Sequence, residues 1–162
     1  MPIKANIIET IGQTDLVRIP SLSELTGSEI YLKCEFQNPG GSIKDRAAQQ
    51  MIIDAVDSGE LKPGMTIVEA TSGSTGNALS LVGAVKGYKV KILMPEGYSN
   101  ERSMITEALG AEIEYFDHFY VNKAHEMAIE MGKSDEYYCP TQFDNEWNVD
   151  GHREWLGPEI IN

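Results

Sequence analysis

Thr66-Ile67-Val68-Glu69-Ala70-Thr71-Ser72-Gly73-Ser74-Thr75-Gly76, followed by an apolar run to Lys86 and then Gly87, decides the fold. Residues 66–69 read as a short β-branched strand. Residues 71–76 are a loop of glycine and small hydroxyl residues. Residues 75–86 have helical character, and Gly87 suits the left-handed cap that closes a helix. Such a stretch is the strand-to-helix half of a βαβ unit.

The same alternation continues on both sides. Downstream, residues 90–94 form a strand closed by Pro95-Glu96-Gly97. Ser99 opens a helix with Met104, Ile105, Ala108 and Leu109 on its apolar side and Gly110 at its stop. Residues 112–116 are a strand. Val121, Ala124, Ala128 and Met131 mark a helix ended by Gly132, and residues 137–139 read as a last strand. Upstream, residues 45–56 carry Ala48, Met51, Ile52, Ala55 and Val56 at helical spacing, with Asp57-Ser58-Gly59 as the stop. Ser42 and Asp45 resemble a capping box at its start. Ile30, Leu32, Cys34 and Phe36 alternate as in a strand. Strand and helix alternating through short links predict an α/β protein, a parallel sheet with helices on both faces. Ligands in such sheets bind in the loops at the carboxyl ends of the strands, which points to residues 71–76.

The 162 residues hold 13 Lys and Arg against 25 Asp and Glu, a net charge of −12. That balance works against nucleic acid and against an anionic membrane surface. With 41% hydrophobic and 23% charged residues, the chain reads as an ordinary globular protein. Cys34 and Cys139 fit neither a disulfide framework nor a metal spacing, residues 1–10 lack the features of a signal peptide, and no apolar run spans a bilayer. A reduced, cytoplasmic setting is the expectation.

Two segments carry chemistry. The 71–76 loop offers backbone N–H groups and small donors at a helix N-terminus, an anion or carboxylate site. It is not a Walker loop, a dinucleotide fingerprint or a nucleophile elbow. Its plainer reading is a tight capped turn. In Asn38-Pro39-Gly40-Gly41-Ser42-Ile43-Lys44-Asp45-Arg46, a Pro/Gly loop delivers one lysine to the first turn of a helix. The positive end of the helix dipole disfavours a cation there and favours the neutral amine that Schiff-base chemistry requires. The plainer reading is a solvent-facing lysine with Asp45 and Arg46 as surface charges. His118, His125 and His152 show no metal or triad spacing. Glu112, Glu114 and Asp117 read as the solvated face of an edge element. Met51, Met104, Met127 and Met131 read as core packing, and Trp147 and Trp155 as residues near a domain junction.

Together the two segments resemble the cysteine synthase/cystathionine β-synthase family of fold-type II pyridoxal-phosphate enzymes. Residues 38–46 look like its cofactor-lysine segment and residues 69–76 like its substrate-carboxylate loop. Met94-Pro95, Ser99, Glu101-Arg102 and Leu109-Gly110-Ala111-Glu112 fit the next stretch. Gln142-Phe143-Asp144-Asn145, Asn148, His152 and Gly157-Pro158-Glu159-Ile160 resemble the one after.

The resemblance implies a tryptophan synthase β-like fold, here incomplete. Residues 1–45 would begin the large domain, 46–150 would form the small parallel domain, and 151–162 would start the return to the large one. It implies that Lys44 holds pyridoxal 5'-phosphate as a Schiff base and then moves protons. Thr71, Ser72, Gly73 and Thr75 would bind the α-carboxylate of an amino-acid substrate, with Gln142 on its other side and Ser74 at the ring oxygen of the cofactor. The implied reaction is β-replacement on O-acetylserine or a related serine derivative. Cystathionine β-synthase-like and serine/threonine dehydratase-like lyases, and a non-catalytic remnant or binding module, are the alternatives.

The chain departs from the family at Ser74, where Asn is usual, at Glu146-Trp147, where Pro-Ala is usual, and at Leu156, where Thr is usual. The phosphate-cupping loop and the hydroxyl at the pyridine nitrogen would follow Ile160. The resemblance therefore implies an N-terminal half, inactive alone, that is either a fragment of a longer chain or is completed by a separate C-terminal half; a full-length protein would be a homodimer.

Overall fold

The structure, a computed structural model, describes residues 3–97, 100–116 and 121–161. The expected helix start at Ser99, and Asp117 and His118, lie outside them. Strand β1 (Leu16–Arg18), helix α1 (Pro20–Thr26) and strand β2 (Tyr31–Lys33) come first, and β1 and β2 pair antiparallel as a two-stranded sheet. The strand expected from the 30–36 alternation is shorter than that pattern, because residues 35–37 wind into a 3₁₀ turn. Helix α2 (Lys44–Ser58) follows, then β3 (Thr66–Ala70), α3 (Ser74–Lys86), β4 (Lys89–Pro95), α4 (Asn100–Ala108), β5 (Glu112–Phe116), α5 (Val121–Met131) and β6 (Tyr137–Tyr138). The chain closes through α6 (Glu146–Gly151), a π-helical turn at residues 152–156, and α7 (Gly157–Ile161).

Strands β5-β4-β3-β6 form one parallel sheet in that order. Its central strands are buried on both faces, which explains why they read as nearly continuous apolar runs. On one face Ile67, Ile92 and Met94 pack with Ala48, Ile52 and Ala55 of α2 and with Ala78, Leu79 and Val82 of α3. On the other, Val68, Ala70 and Leu93 meet Ala124 and Ala128 of α5. Helix α3 is buried almost all round, so it carries no polar stripe. The caps at Gly59 and Gly87 have φ of 81° and 79°, a region where glycine avoids the steric cost of a side chain. Edge strand β5 is charged: Glu112 and Glu114 both reach Lys91, at 2.7 and 2.9 Å. Charges of this kind protect an open edge.

Helix α4 departs from the reading. Met104 and Ile105 are exposed, while Ser103 and Thr106 turn inward. Thr106 Oγ1 donates to Asn77 Oδ1 of α3 at 2.7 Å, so a polar contact sets the helix rotation. Met104 is therefore not a core residue, whereas Met51 is fully buried. Among the described residues, no helix is long and apolar enough to cross a membrane.

Candidate active site

Lys44 begins α2 and is half-buried. The loop before it is built around Asn38, whose amide donates to the Ser42 carbonyl at 3.1 Å and to Glu35, while its Oδ1 accepts from Gly12 N–H at 2.8 Å. Ser42 Oγ accepts from the Lys44 N–H at 3.2 Å, but the residue at the N-cap of α2 is Ile43, which offers no side-chain cap. Asp45 does not complete a capping box; its carboxylate accepts from Gly40 N–H at 2.5 Å. A Cβ on Gly40 would lie 2.3 Å from Asp45 Oδ1, so that approach requires glycine. Asp45 and Arg46 are not surface charges, at 0% and 3% exposure. Burial pushes the Asp45 carboxyl up to about 6, and its Oδ1 has no partner.

Thr71, Ser72 and Gln142 line one cavity of about 290 Å³ with Ala70, Asn122, His125 and Phe143. It opens at the carboxyl end of β3, where the topology places ligands. Gly73 is the N-cap of α3 and offers no side-chain cap. The exposed Ser74 is the first residue of α3, so its N–H and that of Thr75 have no intrahelical acceptor. Thr75 is buried and donates its hydroxyl to Gln142 Oε1 at 2.8 Å. Gln142 Nε2 donates to the Ala70 carbonyl at 3.3 Å, which leaves it one free N–H. Lys44 is not among the residues that line this cavity. Asn122 and His125, one turn apart on α5, and Phe143 were not singled out by sequence as site residues. The imidazole meets the Phe143 ring edge-on, with centroids 5.3 Å apart.

Beneath the cavity lies Glu69, at 0% exposure. Its Oε1 accepts from Ala70 N–H at 3.0 Å and its Oε2 from Gln142 N–H at 3.1 Å. Burial, only partly offset by these amides, pushes the carboxyl up to about 7. Next to it, burial pushes the Cys139 thiol up to about 12, away from the reactive thiolate form, and the side chain packs against the core formed by Val68 and Leu93. A charged residue inside the apolar run Ile67-Val68-Glu69-Ala70 was the available signal for Glu69.

Arg46 organises a second buried cluster. Its guanidinium meets Glu35 at 2.8 Å and Glu159 at 2.7 Å, and Lys33 also reaches Glu159 at 2.7 Å. The hydrogen bond from Arg46, with help from Lys33, holds the Glu159 carboxyl down at about 2. Nearby, burial and the positive charges of Lys44 and Arg46 lower the half-buried His152, consistent with a structural role.

For pyridoxal phosphate, the group implied by the sequence, the donors fit in part. A primary amine at a helix start can form the imine, and hydroxyls and N–H groups can take a carboxylate. A Cβ built on Gly73 meets nothing within 4 Å, so the loop is open to a ligand.

The family described as pyridoxal-phosphate dependent enzyme matches residues 7–162. The chain is 44% identical over 165 residues to a probable cysteine synthase of Bacillus subtilis, covering 99% of this chain and 52% of that protein. It is 44% identical over 158 residues to cysteine synthase B of Escherichia coli, covering 94% and 50%. Among solved structures, an O-ureido-L-serine synthase matches with TM-score 0.92 and 38% identity, covering 99% of this chain and 51% of that one. A cysteine synthase from Entamoeba histolytica matches with TM-score 0.91 and 40% identity, covering 98% and 49%. The chain thus spans about half the length of these relatives. It belongs to the pyridoxal-phosphate-dependent enzyme family, in the fold-type II branch that holds the cysteine synthases, and pyridoxal 5'-phosphate is the cofactor of that family.

Proposed function

We propose that these residues are the lysine- and carboxylate-binding half of an enzyme that makes cysteine by β-replacement on O-acetylserine or a related serine derivative. The observation that supports this is the meeting of Thr71 and Ser72 with Gln142, 70 or so positions away, around one cavity at the carboxyl end of β3. Small donors there suit the carboxylate of an amino acid. Thr71 and Ser72 present hydroxyls and Gln142 presents its free Nε2–H. Thr75, whose hydroxyl is committed to Gln142, contributes its backbone N–H together with that of Ser74. Gly73 keeps the approach to that backbone clear.

Lys44 would hold the cofactor, and its Nζ would take and return the proton at the α-carbon of the substrate. When bound, pyridoxal phosphate supplies the electron sink for loss of the β-substituent and addition of the nucleophile. Ser74 would meet the ring oxygen of the cofactor with a shorter side chain than the usual Asn. The phosphate seat and the partner of the pyridine nitrogen come from sequence outside these residues, in the same chain or a complementing half, and the complete enzyme is a homodimer. Residues 1–45 and 151–162 belong to its large domain and 46–150 to its small one. The confinement of the four-stranded parallel sheet to the latter span supports that division.

The test adds pyridoxal phosphate to the 162-residue chain, alone and with the C-terminal half of a cysteine synthase, followed by borohydride reduction and peptide mass analysis. The expected result is an adduct on Lys44 that Lys44→Ala lacks while keeping its fold. No adduct in either mixture overturns the catalytic reading and leaves a binding module. Product assays then separate the sister reactions: O-acetylserine with sulfide for cysteine, serine with homocysteine for cystathionine, and serine or threonine alone for dehydration.

A further inference from the structure

We propose that Glu69 is a positioning residue: its buried carboxylate fixes the backbone of Gln142 and so holds the Gln142 side chain at the wall of the carboxylate cavity. Glu69 is fully buried at the end of β3, so it touches no substrate. It reaches the site through one residue. The Glu69 carboxylate accepts the Gln142 N–H at 3.1 Å, and the Gln142 side chain accepts from Thr75 Oγ1 at 2.8 Å and donates to the Ala70 carbonyl at 3.3 Å. The carboxylate therefore links the end of one strand to the segment beyond β6, across 73 positions of sequence.

The backbone there needs holding. Thr141 has φ of 50°, in the left-handed region that a β-branched residue rarely enters. Conformations of this kind are strained and persist only where the surroundings over-determine them. The surroundings do so. Asn145 Nδ2 donates to the Pro140 carbonyl at 2.6 Å, Asn148 Nδ2 donates to the Gln142 carbonyl at 2.8 Å, and Asp144 N–H donates to the Thr141 carbonyl at 2.9 Å. With the Glu69 contact these make four restraints, and three of them, from Glu69, Asn145 and Asn148, come from outside the Thr141–Asp144 turn. Among the described residues, the Glu69 carboxylate ties the backbone of the turn to the sheet that leads into Thr71 and Ser72, and the Gln142 side chain adds its own bond to the Ala70 carbonyl. A neutral apolar residue at position 69 would satisfy packing but would leave the buried Gln142 N–H without an acceptor, and an orphaned buried donor is costly.

The test is hydrogen exchange by NMR on the 162-residue chain, comparing the wild type with Glu69→Met. The substitution keeps the length of the side chain but removes both acceptor oxygens, so the Gln142 N–H loses its acceptor. The expected result is exchange at least about tenfold faster at the Gln142 amide, the size of one lost hydrogen bond to a charged group, with Val68 and Ile92 keeping their protection. Unchanged exchange at Gln142, or an equal rise across β3 and β4, overturns the proposal. A measurement on the wild type needs no variant to fold. The amide shifts of Ala70 and Gln142 should follow one common titration between pH 5 and 9, distinct from that of the His125 imidazole, which lines the same cavity and is followed through its own ring signals; Tyr138 and Cys139, which also face Glu69, are raised by burial. Titrations of the two amides that differ from each other, or that track the His125 ring, overturn it as well.

A second arm deepens the reading above, on which it rests. O-acetyl-L-serine is titrated while the Ser72 and Thr75 amides are followed. Glu69→Met and Gln142→Ala should each weaken the response about tenfold, and the double variant should be no weaker than Gln142→Ala alone, as expected when one residue acts through the other. Additive losses overturn the claim that Glu69 acts through Gln142. Failure of the wild type to respond at all counts against the cysteine-synthesis reading, while the exchange arm still decides the role of Glu69.

Discussion

Glu69 and Glu159 are both drawn into the interior, and both tie together segments far apart in the chain, yet their surroundings act in opposite directions. Glu69 sits among β-strands with two backbone N–H groups and, among the described residues, no paired cation, and burial pushes it up to about 7. Glu159 sits against Arg46 and Lys33 and is held down at about 2. The first marks the floor of the carboxylate cavity. The second belongs to a cluster that joins the N-terminal segment through Thr14, the 3₁₀ turn through Glu35, helix α2 through Arg46 and the C-terminal helix through Glu159. A buried carboxylate in this fold is thus either an ionic tie or a backbone clamp, and the presence of arginine decides which.

Removing the arginine breaks the distinction and carries the largest expected effect. In Arg46→Met, Glu35 and Glu159 lose their shared cation while the side chain at 46 remains apolar and buried. Breaking a buried ionic group by deleting one partner costs about 3–5 kcal/mol. Urea unfolding should show a loss of that size. A loss under about 1 kcal/mol would mean that Lys33 and water carry the cluster without Arg46.

The next effect sharpens the comparison through pH. The Glu69 carboxyl titrates at about 7 when folded against 4.5 as a free side chain, so between those values the folded state binds the proton that the unfolded state has released. Stability therefore falls as pH rises from about 4.5 to 7, by roughly 3 kcal/mol from this group. Asp45, pushed up to about 6 from 3.8, adds to the same trend. Glu159 has the opposite sign: its contribution is present above 4.5 and is lost as pH falls toward 2. Urea midpoints measured across pH should show a maximum near the acidic end of the first window. Glu69→Gln should flatten the limb above it, and Arg46→Met the limb below. A wild-type profile that rises steadily from pH 5 to 7 would contradict the assignment to Glu69.

These two carboxylates also mark the limit of what the sequence discloses. Helices α2 and α3 and the central strands were legible because their apolar spacing is local and because Gly59 and Gly87 punctuate them. The loop at residues 71–76 was legible because glycine and small hydroxyls between a strand and a helix leave few other uses. The Arg46–Glu159 pair was not, since 113 positions separate its members and no local pattern joins them. Asp45 and Arg46 looked like ordinary surface charges for the same reason: their burial depends on Gly40, Glu35 and Glu159, which only the fold assembles. Helix α4 misled because Met104 and Ile105 fit an apolar face, whereas the Thr106–Asn77 hydrogen bond sets its rotation. His125 and Asn122 joined the cavity wall by the packing of α5 against β3, a long-range contact with no signature in residue spacing.

The smallest effect tests the clamp from its strained side. Thr141 adopts φ of 50° because Glu69, Asn145 and Asn148 hold the residues around it, and threonine gains nothing from that geometry. Asparagine enters the left-handed region several-fold more readily than a β-branched residue. Thr141→Asn should therefore stabilise the fold by about 0.5–1 kcal/mol, recovering part of a strain of roughly 1–3 kcal/mol. Thr141→Gly should change little, because relief of strain is offset by the greater freedom of the unfolded chain. Both variants should leave exchange at the Gln142 amide slow, since the acceptor on Glu69 is untouched. If Thr141→Asn destabilises instead, the turn is held by contacts of the threonine side chain, and the carboxylate is then one restraint among several and not the clamp that sets Gln142 in place.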